Sequence, residues 1–387
     1  MKVLFAPMVG GRGLGPLTRS MAVADEARRR GHDVSFLVRQ SFVPLLEKHG
    51  FSGSLAAEPR KQVQLSQVGD TWTDIAAYLG LTENDFVDQS QRVERKAIKE
   101  FKPDAVFVES NVTMPLTCLE DHIPLASTFT WADTSSLSLT TQGMRSSVPP
   151  TRLDRHNDSL QRMGVEPIAD LSDLTVRFAQ LILVPMTPSL EPELSDHARF
   201  RFVGDLLFHS LEYGELPAAV GAVLKSRPRV YVYLGTSDLE ESIWVKTLQD
   251  AVGISDLAIV AASREHEMTQ PRLAIQRWLP GGGVMSSADI CLHAGTANTM
   301  MLAVRHGVPQ MLLPFSDSER RYHAEKIVAL GAGVLADKAA IGDASKLCVA
   351  IHSVLDALTV KQASVRLRDE AAVYAGPRMA VDMLEAI

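Results

Sequence analysis

The stretch KVLFAPMVGGRGLGPLTRSMAVADEARRRGHDVSFLV (residues 2–38) sets the fold class. It opens on an apolar run, KVLFAPMV, followed by a turn holding Gly10, Gly11, Gly13 and Gly15. Leu17, Met21, Ala24 and Ala27 then recur at helical spacing, and Gly31 stops the helix before a second apolar strand, HDVSFLV. Strand, glycine turn, helix and strand with short connections make a βαβ unit, which implies a parallel sheet. A glycine turn after a first strand normally positions a phosphate, a cofactor or a catalytic side chain. This one carries no His, Asp, Glu, Ser or Cys before Thr18, so it offers backbone shape and no chemistry of its own.

Working outward, apolar strands are expected at DAVFVES (104–110), IPLASTF (123–129) and LILVPM (181–186). The segment from about 57 to 100 reads as helical and more polar, with Trp72 and Tyr78 embedded in it. Residues 137–157, rich in Ser, Thr, Pro and Arg and without periodicity, read as a mobile loop suited to variable substrate contacts. The pattern restarts near 215 and gives RVYVYLGTS (229–237), a strand ending in a second glycine turn. LAIVAAS (257–263), DICLHAG (289–295) and PQMLLPF (309–315) follow with helices between them. The chain is therefore expected to hold an α/β domain at 1–210 and another at 218–375. A last helix, 376–387, set off by Gly376-Pro377, is expected to pack back on the first. No sequence repeat links the halves. Open α/β sheets bind ligands at the carboxyl ends of their strands, so the expected site is a cleft between the two domains.

The bulk numbers agree with two domains: 387 residues exceed one ordinary domain, and 46% hydrophobic with 22% charged is globular composition. A formal net charge of −7 gives no basic footprint for nucleic acid or an anionic membrane. It leaves open a phosphate-bearing small ligand, because backbone amides can bind one. The 3 cysteines, Cys118, Cys291 and Cys348, are widely spaced and odd in number, as expected of reduced thiols in the cytoplasm. The first apolar run is too short for a signal-peptide core, and no stretch approaches the roughly 20 apolar residues of a membrane span. A soluble cytoplasmic setting is the expectation.

The second half carries the most specific signal. From Trp278 the chain runs WLPGGGVMSSADICLHAGTANTMMLAVRHGVPQMLLPFSDSERRYHAEKIVALGAGVL (278–335). This resembles the donor-binding region of the family-1, GT-B-fold glycosyltransferases, especially bacterial enzymes that decorate macrolide, enediyne and polyketide natural products. The opening PLTRSMAVADEARRRGHDV is similar to the same family, so the resemblance covers nearly the whole chain. It implies an α/β GT-B fold, two Rossmann-like domains facing each other across a cleft. It also implies inverting, metal-independent transfer from a dTDP- or UDP-sugar to a small natural-product acceptor, with no cofactor beyond that co-substrate. The sequence shows no Asp-x-Asp motif and no His/Cys cluster of ligand type.

The physics of each donor element reads separately. HAGTANT lies between a strand and a helix, so amides near Thr296–Thr299 point out of a helix N-terminus, a site for a pyrophosphate. Gly295 allows close backbone approach, and Asn298 or Thr299 adds a side-chain donor; alternatively both side chains merely cap the helix. Gly235, Thr236 and Ser237 offer a second glycine-hydroxyl turn. Trp278 and Leu279 would, by resemblance, lie beside the nucleotide base, whereas the bland alternative makes Trp278 a core anchor.

Departures from the family fall at functional positions. The loop after the first strand usually presents a histidine base; here that position is Gly13 or Pro16, depending on alignment, and Arg12 is too basic to serve. Gly11, Arg12 and Trp131 are the expected acceptor contacts. The phosphate-contacting histidine aligns with Ala294, with His293 one residue before; whether His293 takes that role or is a satisfied strand-end histidine stays open. The sugar-binding acid-Gln pair is replaced by Ser318 and Glu319, with Asp317 one earlier. Asp133 in TFTWADTSS (128–136) is the candidate base, or else it caps the next turn; His156 in the 137–157 loop and His209 are weaker candidates. An acceptor that is already nucleophilic, such as a phenolate, an amine or an activated aromatic carbon, needs less help from a base. The rival reading is a catalytically silent relative acting as a binding or partner-activating protein. The sequence does not set the oligomeric state: a homodimer and an assembly with an auxiliary protein are both open.

Overall fold

The computed structural model describes residues 1–10, 13–59, 71–133, 153–235, 239–314 and 318–387. They form two compact units, Met1–Leu206 with Ala375–Ile387, and Leu207–Tyr374. Among the described residues no helix is long and apolar enough to cross a membrane.

The first unit is built on strands β1 (Lys2–Pro7), β2 (Asp33–Val38), β3 (Gly53–Leu55), β4 (Ala105–Glu109), β5 (Leu125–Thr128), β6 (Leu181–Val184) and β7 (Phe200–Phe202). The sheet order is β3-β2-β1-β4-β5-β6-β7 and every pair is parallel. A parallel sheet covered on both faces needs unbroken apolar strands, and Val3, Leu4, Phe5 and Ala6 are all buried, as are Val106 and Phe107. The Phe5 ring lies 5.3 Å from Phe36 and 5.4 Å from Phe107, so three neighbouring strands share one aromatic stack. Helix α1 (Gly15–Arg29) starts with Pro16 in its first turn and buries Leu17, Met21, Ala24 and Ala27.

The chain returns to this unit at its end. Gly376 has φ +55, and a Cβ there would run into the Asp205 carbonyl oxygen, so the crossing requires glycine. The last helix, Pro377–Leu384, then packs on α1 and buries Ala380, Val381 and Leu384. Arg30 at the end of α1 ties it down, bonding Asp382 at 2.5 Å and Glu385 at 3.3 Å.

The second unit repeats the plan with β8 (Arg229–Tyr233), β9 (Ala258–Ala262), β10 (Met268–Gln270), β11 (Leu273–Gln276), β12 (Ile290–His293), β13 (Gln310–Leu312) and β14 (Gly333–Leu335). Its order is β10-β11-β9-β8-β12-β13-β14, parallel except for β10, an antiparallel edge on β11. Val230, Val232, Ile259, Leu292 and Met311 pack against Trp244 and Leu248 of the helix Glu241–Ile254, and against Ile351 of the helix Ala344–Asp356.

Several elements differ from the expectations. The three-residue strands at 53–55, 200–202, 268–270 and 333–335 were not foreseen, being too short to show a period. Most of the 137–157 segment lies outside the described residues, but its end is helical: Asp154–Arg162 buries His156, Ser159 and Leu160. His156 is therefore a core side chain on a helix and no part of a loop. In each sheet the connections reverse direction next to the first strand, between β1 and β4 and between β8 and β12. These switch points place the ligand-binding crevice of each unit.

Candidate functional site

At the β8/β12 switch, β12 ends on His293 and the helix Ala297–His306 begins, with Thr296 as its N-cap residue. The first N–H groups of the helix have no intrahelical acceptor, and Met300 is the first residue whose N–H reaches back, to the Thr296 carbonyl at 2.9 Å. The macrodipole adds partial positive charge there, which makes this turn a cradle for an anion. The Thr296 side chain does not cap the helix amides; its hydroxyl donates instead to the Thr299 hydroxyl at 3.1 Å. Asn298 lies partly exposed on the first helical turn.

Gly295 shapes the turn. It has φ +86, and a Cβ there would stand 2.7 Å from the Arg320 carbonyl oxygen, so backbone meets backbone with no room for a side chain. Its N–H donates to His293 Nδ1 at 3.1 Å, while His293 Nε2 contacts Gln310 Oε1 at 2.8 Å. That pattern puts the His293 proton on Nε2. The ring is fully buried, and burial pushes its pKa down to about 4, opposed by the bond to Gln310. Both ring nitrogens are thus occupied inside the fold, and Ala294 beside it is a buried methyl, so neither presents an imidazole at the turn. The Gly295 carbonyl is held by a histidine that sequence reasoning missed, His323, whose Nδ1 lies 3.2 Å away. Gln310 and Arg320 were missed as well, since only their spatial contacts distinguish them.

The remaining donor candidates surround this turn by sequence. Gly235 ends the β8 turn with φ +58, while Thr236 and Ser237 lie outside the described residues. Trp278, after β11, is 52% exposed, which corrects the core-anchor alternative, whereas Leu279 is buried. Ser318 is buried and Glu319 half-buried in the first turn of the helix Ser318–Ala329; Asp317 lies outside the described residues.

At the β1/β4 switch of the first unit the glycine turn behaves differently. Gly13 is exposed, and a Cβ on it would meet no atom within 4 Å. Pro16 belongs to the start of α1, so neither position carries a proton acceptor. Gly11 and Arg12 lie outside the described residues. Beneath the turn, Arg19 donates through Nε and Nη2 to Glu109 Oε1 at 2.9 and 2.6 Å, and the Thr128 hydroxyl donates to Glu109 Oε2. Glu109 is 2% exposed, so this is a buried, hydrogen-bonded charge pair at the ends of β4 and β5.

Beside it, a narrow pocket is lined by Met8, Val9, Leu81 and Phe86 with Glu94 and Asn111. Burial pushes the Glu94 carboxyl up to about 7, against hydrogen bonds of 2.5 Å from Thr113 and Thr117. Ser110 follows β4 with φ +52, a backbone state that costs energy in a residue with a side chain. His156 Nε2 lies 3.0 Å from the Val112 carbonyl, and burial lowers its pKa to about 4. Asp133 Oδ2 accepts from both the amide and the hydroxyl of Thr130, at 2.9 and 3.2 Å, reaching back to the start of its own short 3-10 turn as the acidic residue of a capping box does. The Trp131 amide donates to the buried Glu191 at 2.8 Å. His209 is exposed and stacks on Tyr213 at 4.8 Å. Among the described residues no group of three or more His, Cys, Asp or Glu side chains is placed to hold a metal ion.

Comparison with known proteins bears on the same segments. Residues 246–387 match the family described as erythromycin biosynthesis protein CIII-like, C-terminal domain. No curated protein matches significantly in sequence. Among solved structures, the calicheamicin glycosyltransferase CalG4 aligns at 20% identity with TM-score 0.79, covering 100% of this chain and 97% of its own. The spinosyn rhamnosyltransferase SpnG aligns at 19% identity with TM-score 0.72, and both chains are covered at 100%. SpnG is also known complexed with thymidine diphosphate and with spinosyn aglycone. SnogD, a glycosyltransferase from Streptomyces nogalater, aligns at 18% identity with TM-score 0.71 and 100% of both chains covered. The chain thus has the two-domain GT-B fold seen in these glycosyltransferase structures, and its residues 246–387 are similar to the erythromycin-biosynthesis-CIII-like C-terminal domain.

Proposed function

We propose that this chain is an inverting, metal-independent glycosyltransferase that moves a sugar from a dTDP- or UDP-sugar to a small natural-product acceptor. The observation that carries the reading is the Gly295–Thr299 turn. It is an amide-lined helix start at the switch point of the unit whose segment matches a natural-product biosynthesis domain. The acceptor nucleophile attacks the anomeric carbon from the face opposite the diphosphate. As the new bond forms, the bond from that carbon to the diphosphate oxygen breaks, and the pair of electrons leaves with the nucleotide. Amides of 296–299 and the Thr299 hydroxyl meet the charge that develops on the departing oxygen, the task of preorganised donors in other transfer enzymes. The half-exposed Trp278 is the surface for the nucleotide base, and Ser318 and Glu319 stand for the sugar contacts.

On the acceptor side, the glycine loop supplies no base. Asp133 takes the acceptor proton where one must be removed; a phenolate or amine acceptor needs no such group. SpnG, which shares the fold, is known with both thymidine diphosphate and an aglycone, which supports this class of ligands.

Calorimetric titration with UDP and dTDP tests the reading. Binding of one nucleotide, weakened severalfold by Thr299→Ala, is the expected result. No binding of either points instead to the silent, partner-activating relative. Asp133→Asn, assayed with alcohol and phenol acceptors, tests the base: the expected loss is confined to the alcohols.

A further inference from the structure

We propose that His293 and His323 are positioning residues for the donor diphosphate: from opposite sides they grip the amide and the carbonyl of Gly295, holding the turn that aims the first amides of the 297–306 helix. The proposal rests on the donor-site reading above. Its basis is a set of complementary bonds. The Gly295 N–H donates to His293 Nδ1 at 3.1 Å, and the Gly295 carbonyl accepts from His323 Nδ1 at 3.2 Å. One histidine acts as acceptor and the other as donor, so the two rings carry opposite tautomers. Both are buried, at 0% and 1% exposure, and Gln310 fixes the first ring from behind at 2.8 Å.

The purpose of such a grip follows from the backbone. Gly295 sits at φ +86 against the Arg320 carbonyl, and glycine is the residue with the most freedom to leave that state. A loose turn would lose helix-start amides as a fixed array, and oriented donors are effective only when they need no reorganisation. On the His293 side the clamp supplies order without charge, since that ring is held neutral by burial. A histidine in this region of the sequence therefore serves the diphosphate at one remove. It sets the backbone that binds instead of contacting the phosphate.

The test compares wild type, His323→Leu and His323→Asn, titrated with whichever of dTDP and UDP binds and with the matching monophosphate. The Asn side-chain amide reaches the place of an imidazole Nδ1–H and keeps the bond to the Gly295 carbonyl. Loss of one buried bond predicts about a tenfold weaker diphosphate affinity in His323→Leu. The monophosphate is expected to weaken less, and His323→Asn to recover most of the loss. A ratio of diphosphate to monophosphate affinity unchanged in His323→Leu overturns the proposal, and so does failure of His323→Asn to recover it. If the wild type binds no nucleotide, the donor-site reading falls and takes this proposal with it, a result distinct from either. Amide exchange in the unliganded wild type decides the matter even if His323→Leu does not fold. Slow exchange at Gly295 before any nucleotide is added is expected, and fast exchange overturns the clamp.

Discussion

Gly13 and Gly295 each lie in a turn at the switch point of their unit, Gly13 after β1, the first strand of its sheet, and Gly295 after β12, the strand across the switch from β8. Their surroundings are opposite. A Cβ on Gly13 meets open space, while a Cβ on Gly295 meets the Arg320 carbonyl oxygen at 2.7 Å. The first turn rests on a buried ion pair, Arg19 with Glu109, and the second on two buried imidazoles. Glycine is a packing requirement at 295 and an open position at 13. The difference suits the proposed division of labour: a fixed diphosphate on one side, acceptors of varied shape on the other.

The charged support is the place to break this contrast hardest. Replacing Arg19 by Met leaves Glu109 buried without its cation, and breaking one side of a buried pair costs about 3–5 kcal/mol. Chemical denaturation at neutral pH measures it, and a loss below about 1 kcal/mol would show that the pair is not a support. Next comes Gly295→Ala. A left-handed backbone costs a residue with a Cβ about 1–2 kcal/mol, and the clash with Arg320 adds to it, for a total on the order of 3 kcal/mol. Nucleotide binding should fall with it. Unchanged stability and binding would mean that the turn relaxes freely.

The pocket beside the first turn gives a pH-dependent test. Glu94 has its folded pKa raised from 4.5 to about 7. The neutral form is favoured in the fold, so its contribution is fully present below pH 4.5 and is lost as pH rises through about 7. Glu94→Gln keeps the shape without the charge, and is expected to gain up to about 2–3 kcal/mol over wild type above pH 8 and nothing below pH 4.5. His293, in the other turn, has the opposite window: its pKa is lowered from 6.5 to about 4, so its contribution is present above 6.5 and lost as pH falls through 4. Melting temperature against pH for wild type and Glu94→Gln reads the first window directly; parallel curves would overturn it.

How much of this could be read from residues alone follows from range. The strands 2–7 and 105–109 and helix α1 were legible because their signals repeat within a few residues. So was the HAGTANT turn, whose glycine, hydroxyls and helix are contiguous. The fate of His293 was not, because its partner Gln310 lies 17 residues away and His323 reaches Gly295 across 28. Whether a histidine touches a ligand or holds a turn depends on such contacts, and no local pattern encodes them. Trp278 shows the same limit: the sequence left it between core and surface, and only its exposure distinguishes them.

The smallest stability effect belongs to Gly13, and it sharpens the comparison most. Because the position is exposed and open, Gly13→His is expected to fold with stability within about 0.5 kcal/mol of wild type, the range of ordinary surface substitutions. The substitution puts an imidazole at one of the two positions, 13 and 16, where the family resemblance leads one to expect it. If the loop is kept bare because acceptors arrive already nucleophilic, the new base should leave phenol and amine acceptors unaffected and raise turnover of alcohols by about 10²-fold, the lower end of general-base effects. Alcohol turnover unchanged by both Gly13→His and Asp133→Asn would show that proton removal does not limit the reaction. A clash severe enough to unfold the variant would show that the turn is closed after all. The same change at Gly295 has no such latitude, and the contrast between the two glycines rests on that asymmetry.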